Sequence, residues 1–135
     1  MGKIWDKGFA KDERIDAFTV GKDRDLDLYL APYDIMGTIA HTTMLASVGL
    51  LPREDLEKLL PELKKLYAEA CEGNFAIDDD VEDVHSQVEA MLTARLGDLG
   101  KKVHTGRSRN DQVLVDLKLF YRDEIKTIAR NVNAL

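Results

Sequence analysis

Apolar residues recur at intervals of three and four along most of the chain, and this spacing predicts helices. No segment shows the alternation of apolar and polar residues that is typical of a half-buried strand. Residues 1–27 are rich in charge and lack a clear period, so we interpret them as an N-terminal arm with short turns. Glycines and prolines divide the rest into four predicted helices, and the pattern therefore favours an all-α fold.

The first predicted helix follows Pro32. Asp34 is of a residue type that caps helix N-termini, and Gly49 is of the type that ends helices. The positions on its apolar face are Ile35, Ile39, Met44, Leu45 and Val48. We therefore place this helix between Asp34 and Gly49.

The second predicted helix begins after Leu51, has Pro52 in its first turn, and closes at Gly73 and Asn74. Pro61 interrupts its leucine-rich pattern. Because proline removes a hydrogen bond and clashes with the preceding turn, we expect Pro61 to kink this helix or to split it.

An acidic run precedes the third predicted helix, which ends at Gly97. The run comprises Asp78, Asp79, Asp80, Glu82 and Asp83. Carboxylates favour the positive end of the helix dipole, and a solvated helix start is the plainest interpretation. The apolar face that follows comprises Val81, Val84, Val88, Met91, Leu92 and Leu96, and His85 lies beside it.

The fourth predicted helix begins near Ser108–Asn110 and is still helical in pattern at Leu135. Its apolar positions are Val113, Leu117, Phe120, Tyr121, Ile125, Ile128, Val132 and Leu135. A helix of this length spans about 40 Å. No glycine or proline closes it, so we expect the chain to be the N-terminal fragment of a larger protein built around long helices.

Composition excludes several classes of protein. The 135 residues are 44% hydrophobic and 33% charged, which suits one globular domain, and no apolar run approaches the length of a membrane span. The net charge of −6 is the wrong sign for a general nucleic-acid binder. The single cysteine, Cys71, fits a reducing cytoplasm.

The segment Lys101–Asp111 carries four cations and a histidine in an otherwise acidic chain. Gly106 permits a sharp turn, while Ser108 and Asp111 have the spacing of a capping box. The segment would bring its arginines and Asn110 to the N-terminus of the fourth helix, where an anion such as a carboxylate or phosphate can bind. The alternative is an ordinary capped helix start with solvated arginines.

The histidines do not predict a metal site. His41, His85 and His104 lack the spacing of local zinc ligands, and Cys71 is isolated. We interpret His41 as a helix-packing residue, and His85 as a residue of either structural or functional role.

The segment His104–Val113 (HTGRSRNDQV) closely resembles the N-terminal signature of the argininosuccinate lyase family in the fumarase/aspartase superfamily. Three other segments agree: DIMGTIAH at 34–41 followed by Met44-Leu45, EDVH at 82–85, and Lys3-Ile4-Trp5 with Phe9. Departures include Asp6-Lys7-Gly8 in place of Gly-Gly-Arg, and Thr38 in place of serine. The resemblance covers nearly the whole chain and about the first third of a typical family member.

The resemblance implies an N-terminal arm and helical domain over residues 1–107, and the truncated start of a long central-bundle helix over residues 108–135. It implies a cytoplasmic homotetramer whose active sites combine segments of three subunits. The implied reaction, a step of arginine biosynthesis, cleaves argininosuccinate to arginine and fumarate by anti β-elimination, without cofactor or metal.

The resemblance also implies site residues. Ser108, Arg109 and Asn110 would contact the substrate, and Asp83 and His85 would lie near the same site. Thr105 and Arg107 of the loop, and Lys22 or Asp23 of the arm, are further candidates. The family's general base is a serine on a loop far downstream, so we expect no catalytic base among these 135 residues and no activity from the fragment alone.

Other functions remain open from the sequence. They are a lyase for another fumarate adduct of the adenylosuccinate or aspartate type, a crystallin-like structural relative, and a free-standing helical interaction module. The string TGRSRND at 105–111 argues against the first, because those relatives carry different residues in the matching loop.

Overall fold

The computed structural model of the protein describes residues 13–135, and within this range every regular element is helical. The helices are α1 (Glu13–Val20), α2 (Asp23–Asp27), α3 (Ala31–Ser47), α4 (Arg53–Cys71), α5 (Val84–Leu96), α6 (Asp98–Lys101) and α7 (Arg109–Ala134), with a 3₁₀ turn at Lys102–His104. The all-α prediction is confirmed. The segments compared with the family at residues 3–9 lie outside the described residues.

Residues 13–27 are more regular than the sequence predicted. They form α1 and α2 instead of an irregular arm, so that interpretation was wrong for this stretch. Both helices are short, and α2 is held by hydrogen bonds to the segment before α5. The Arg24 side chain donates to the Val81 carbonyl (2.7 Å), and Asp27 accepts from the Val84 N–H (3.1 Å). The pattern of a short helix held by tertiary bonds is too weak to detect in sequence.

Asp34 is not the N-cap of its helix, which corrects the sequence prediction. The helix α3 begins at Ala31 and has Pro32 in its first turn, where the missing N–H costs nothing. The Asp34 N–H already bonds to the Leu30 carbonyl (2.9 Å), and its side chain is buried on the inner face of the helix.

The inner face of α3 also differs from the predicted apolar stripe. Met44 and Val48 are exposed, whereas Thr38 and Thr42 are buried. The Thr42 hydroxyl donates to the Thr38 carbonyl (2.9 Å), so its polar group stays paired inside the helix. The buried face therefore combines apolar and hydrogen-bonding residues.

Helix α4 is continuous from Arg53 to Cys71 and is not split at Pro61. Pro61 lies on the exposed side, where the unpaired carbonyl one turn earlier can meet water, while Leu59, Leu63 and Leu66 point into the core. Of the two outcomes expected at Pro61, the split is therefore wrong, and a kink stays a prediction. The predicted end is confirmed at Gly73, which adopts a φ of 76°.

The core lies between α3, α4 and α5, with α6 and α7 packed on its edges. Its buried residues are Ala31, Ile35, Leu45, Leu51, Leu59, Leu63, Leu66, Phe75, Val84, Val88, Leu92 and Val103. Each fully buried leucine or isoleucine contributes about 1.5–3 kcal/mol by transfer from water. The first half of α7 packs on α3, with the rings of Tyr33 and Phe120 in edge contact at 5.9 Å. This packing fixes the N-terminus of α7 beside that of α5.

Between residues 13 and 135, no helix is long and apolar enough to cross a membrane.

Candidate active site at two helix N-termini

The N-terminus of α7 is closed by the capping box that the sequence predicted. The Asp111 N–H bonds to the Ser108 hydroxyl (3.3 Å), and the Ser108 N–H bonds to the Asp111 carboxylate (2.7 Å). The Ser108 backbone and hydroxyl bonds hold the pKa of Asp111 below its ordinary value. The helix therefore starts at a fixed residue, Arg109.

Arg109 joins the N-termini of α7 and α5. Its guanidinium donates to the Asp83 carboxylate and to the Ser86 hydroxyl (3.3 Å). Asp83 is itself the N-cap of α5, since its other oxygen accepts from the Ser86 N–H (2.8 Å). The structure thus brings together Asp83, Arg109 and the α7 N-terminus, three features that the sequence had placed in one site.

The loop before α7 is attached to α3 from behind. The His41 Nε2–H donates to the Thr105 carbonyl (2.7 Å), and the Arg107 guanidinium donates to the Thr38 hydroxyl (2.8 Å). Burial lowers the pKa of His41, which keeps the imidazole neutral. Between these anchors Gly106 takes a φ of 71°, which allows the turn that the sequence predicted. The loop is therefore a fixed part of the fold.

The basic side chains of the segment are engaged within the protein. Lys101 pairs with Asp98 and Lys102 with Asp55, each at 2.6 Å. Arg107 points inward, and Arg109 pairs with Asp83. The expectation that the loop would present its arginines to an anion therefore differs from the structure, in which they fix the loop.

Asn110 and two backbone N–H groups remain available at the helix end. The Asn110 side chain is exposed, and none of residues 13–135 hydrogen-bonds to it. The first bond of the α7 ladder runs from the Gln112 N–H to the Ser108 carbonyl (3.3 Å), so the N–H groups of Arg109 and Asn110 precede the ladder. Together with the helix dipole, these donors suit a carboxylate.

The predicted arm residues do not reach this loop. Lys22 and Asp23 are exposed at the start of α2, and no hydrogen bond in the described part of the chain joins their side chains to Asn110 or Arg109. The same helix reaches the site through Asp27, which holds the Val84 N–H one residue after Asp83. A substrate role for Lys22 or Asp23 stays a prediction.

Behind the site, one residue from each of three helices meets in a buried cluster: Asp34 (α3), His85 (α5) and Asp116 (α7). The His85 Nδ1–H donates to Asp34 Oδ1 (2.7 Å), and Asp116 Oδ2 lies 3.6 Å from the same nitrogen. Asp34 and Asp116 are 1% exposed and His85 is 6% exposed. None of the three can contact a ligand in solvent in this structure.

The cluster concentrates charge where solvent cannot screen it. Burial and the charge of Asp34 raise the pKa of Asp116 to about 7, although His85 and Arg107 oppose the shift. Burial alone would lower the pKa of His85, but the hydrogen bond to Asp34 and the charges of Asp34, Asp116 and Asp83 outweigh it and raise the pKa. His85 therefore favours its charged form between two carboxyl groups.

The ligand atoms of this cluster lie within 4.8 Å of one another, and their types could hold a metal ion. Two ligands on one zinc ion stand roughly 3.3 Å apart, because each bond is about 2.0–2.1 Å long in a tetrahedral site. The 2.7 Å between His85 and Asp34 is instead a hydrogen-bond distance. The distance fits a proton shared between His85 and Asp34. That the protein needs no metal stays a prediction.

Sequence reasoning missed Asp116 and misjudged Asp34; it gave His41 a structural role but did not predict its bond to the loop at Thr105. A signal existed for Asp116, which lies between the apolar positions Val113 and Phe120 and thus on the buried face of α7. A buried charged residue needs a partner of opposite charge or a hydrogen bond, and this rule would have suggested a partner such as His85.

Comparison with known proteins identifies the family to which the chain belongs. A family model described as "Lyase" matches residues 7–135, so the chain belongs to this lyase family. The resemblance to argininosuccinate lyases is confirmed by its relatives. The chain is 61% identical over 133 residues to a protein named argininosuccinate lyase from Phocaeicola vulgatus, and 59% identical over 133 residues to one from Parabacteroides distasonis. Each match covers 98% of this chain and 30% of the relative.

A more distant relative shows the same relation. It is an argininosuccinate lyase from Thermotoga neapolitana, 45% identical over 126 residues, with 93% of this chain and 32% of the relative covered. The chain thus spans about 30% of the length of the curated relatives it matches.

Proposed function

We propose that this chain supplies the carboxylate-binding loop of an argininosuccinate lyase, a carbon–nitrogen lyase of arginine biosynthesis. The observation that supports this most is the N-terminus of α7, where exposed Asn110 and the N–H groups of Arg109 and Asn110 are free on a loop held rigid from behind. The names of the relatives favour argininosuccinate over other fumarate adducts as the substrate.

The proposed reaction is an anti elimination. A base takes a proton from the carbon next to a substrate carboxylate, the electron pair forms the carbon–carbon double bond of fumarate, and the carbon–nitrogen bond breaks. Arginine leaves and its nitrogen takes up a proton. Negative charge builds on the carboxylate as the proton leaves, and preorganised donors at that point lower the barrier.

In this proposal each side chain of the loop has a distinct part. Asn110 donates from its amide to the substrate carboxylate, and Ser108 keeps the helix end in place through Asp111. Arg109 is held by Asp83, and its backbone N–H contributes to the anion site. No base is assigned among the described residues, and the proposed chemistry calls for no cofactor.

A chimaera tests the proposal. The 133 aligned residues of this chain replace the matching segment of the Phocaeicola vulgatus protein, and the release of fumarate from argininosuccinate is measured. We expect activity within tenfold of the parent enzyme, because the segments are 61% identical. A folded chimaera that releases no fumarate would contradict the proposed function, and the unmodified parent is the control.

We also propose that the second half of α7 associates with copies of itself in a homotetramer. Tyr121, Ile125, Ile128 and Val132 follow helical spacing, and each is more than half exposed. A row of this length on one face marks an association surface. Sedimentation of the chain should show oligomers that the double substitution Ile125→Glu and Ile128→Glu dissociates, whereas a clean monomer at high concentration would contradict the proposal.

We also propose that the protein is located in the cytoplasm. The single cysteine, Cys71, is free and exposed, which suits a reducing compartment.

A further inference from the structure

Three helices carry the buried cluster, and two of them begin at the proposed site. His85 is the second residue of α5. Two residues earlier, Asp83 caps that helix and binds Arg109. Asp116 lies on α7 seven residues after Arg109, two turns into the same helix. The charge contact between His85 and Asp116, at 3.6 Å, therefore joins α5 to α7 close to the two helix N-termini.

We propose that Asp34 and Asp116 are positioning residues of the carboxylate-binding site, acting through His85 to hold the N-terminus of α5 against that of α7. This inference rests on the proposed function above. The hydrogen bond from His85 to Asp34 fixes α5 on α3, and the charge contact from His85 to Asp116 fixes α5 on α7. The cluster thus acts on substrate only through the geometry of Asp83, Arg109 and Asn110.

The polar groups around the cluster make its arrangement sensitive to one proton. Asp27 from α2, Asp83 from the start of α5 and Arg107 from the loop face it as charged neighbours. One oxygen of Asp34 and one of Asp116 are buried without a hydrogen-bond partner, as is the Arg107 Nε. Protonation of one carboxyl group removes a negative charge that faces His85, and we expect this to shift α5 relative to α7.

Kinetics of the chimaera give the first test. Asp116→Asn and Asp34→Asn keep the shape of each side chain and remove its charge. We expect each to lower kcat at least tenfold and to displace the pH midpoint of kcat, with an unchanged far-UV circular dichroism spectrum. Asp123→Asn on the same helix is the matched control, since Asp123 is half-exposed and pairs with Lys126, and it should leave both quantities unchanged. Wild-type kcat and pH profile in Asp116→Asn would overturn the inference.

Nuclear magnetic resonance of the 135-residue chain gives an independent test. The His85 ring and the backbone amides of Arg109 and Asn110 should titrate with one midpoint, and Asp116→Asn should move all three together. If the chemical shifts of the Arg109 and Asn110 amides did not change as His85 titrates, the inference would be overturned, even if the chimaera were active. An inactive wild-type chimaera would instead contradict the proposed function, and the amide titration would still decide the positioning role.

Discussion

Raising the pH from 6 to 8 should destabilise the folded chain through the carboxyl group of Asp116. Burial, followed by the charge of Asp34, raises the pKa of this group from 3.8 to about 7 in the folded state. In the unfolded chain the group returns to its ordinary value and is ionised over the whole range. The folded state therefore binds more protons than the unfolded state, and stability falls as the pH rises through the folded-state pKa.

The size of the effect follows from the two pKa values. With a folded-state pKa of about 7, Asp116 is about nine-tenths protonated at pH 6 and about one-tenth protonated at pH 8. The free energy of unfolding should fall by about 1.4 kcal/mol over this range from Asp116 alone. His85 acts in the same direction. Its folded-state pKa is raised, so its contribution is complete below its unfolded pKa and is lost as the pH rises through the folded one.

Urea denaturation followed by circular dichroism at pH 6, 7 and 8 measures this dependence. Asp116→Asn has no proton to lose, so its free energy of unfolding should vary by about 1.4 kcal/mol less than that of the wild type. Asp123→Asn removes a half-exposed carboxylate from the same helix and should keep the wild-type slope. Parallel pH profiles for the wild type and Asp116→Asn would refute the reasoning.

Four other outcomes are expected. In the chimaera, Asn110→Asp should lower kcat about ten- to a hundredfold without a change in Tm, because a donor to the substrate carboxylate becomes a like charge; near-normal kcat would exclude the contact. The 135-residue chain alone should release no fumarate, and turnover that survives further purification would contradict this. Gly100→Ala should lower the free energy of unfolding by about 1–3 kcal/mol in urea denaturation, since its Cβ would collide with the backbone nitrogen of Thr93. This loss should exceed that of Gly37→Ala, whose Cβ meets a Val115 side-chain carbon at 3.2 Å. Exhaustive dialysis of the chimaera against EDTA should leave its kcat unchanged; a loss restored by zinc would show a required metal.

The parts of the site that could be predicted from sequence are local. The capping box joins Ser108 and Asp111, three positions apart in sequence, and the cap that Asp83 forms for α5 has the same spacing. Such contacts depend on residue type and spacing within one turn, which the sequence displays directly. The turn at Gly106 is predictable for the same reason, since only its own backbone is involved.

The contacts that hold the loop against α3 and α5 against its neighbours could not be predicted from the spacing of residues, because they depend on how the helices pack. Asp34 is a common capping residue, and its type favoured a helix start where the structure places a buried partner of His85. Periodicity also placed Met44 on the buried face of α3, yet its side chain is exposed while that of Thr42 is buried. Which face of a helix is covered depends on its neighbours, and these become known only from the fold.

The anchors of the loop also bear on the order in which the chain folds. The bond from His41 joins residues 64 apart in sequence, and the bond from Arg107 joins residues 69 apart. A contact between distant residues forms only after the chain between them has lost the entropy of loop closure, whereas the capping box forms within one helical turn. We therefore expect the α7 helix to form early and its binding loop late, so that amide hydrogens near Thr105 exchange sooner than those in the middle of α7. A synthetic peptide of residues 101–135 would carry every residue of the proposed loop and still lack its shape.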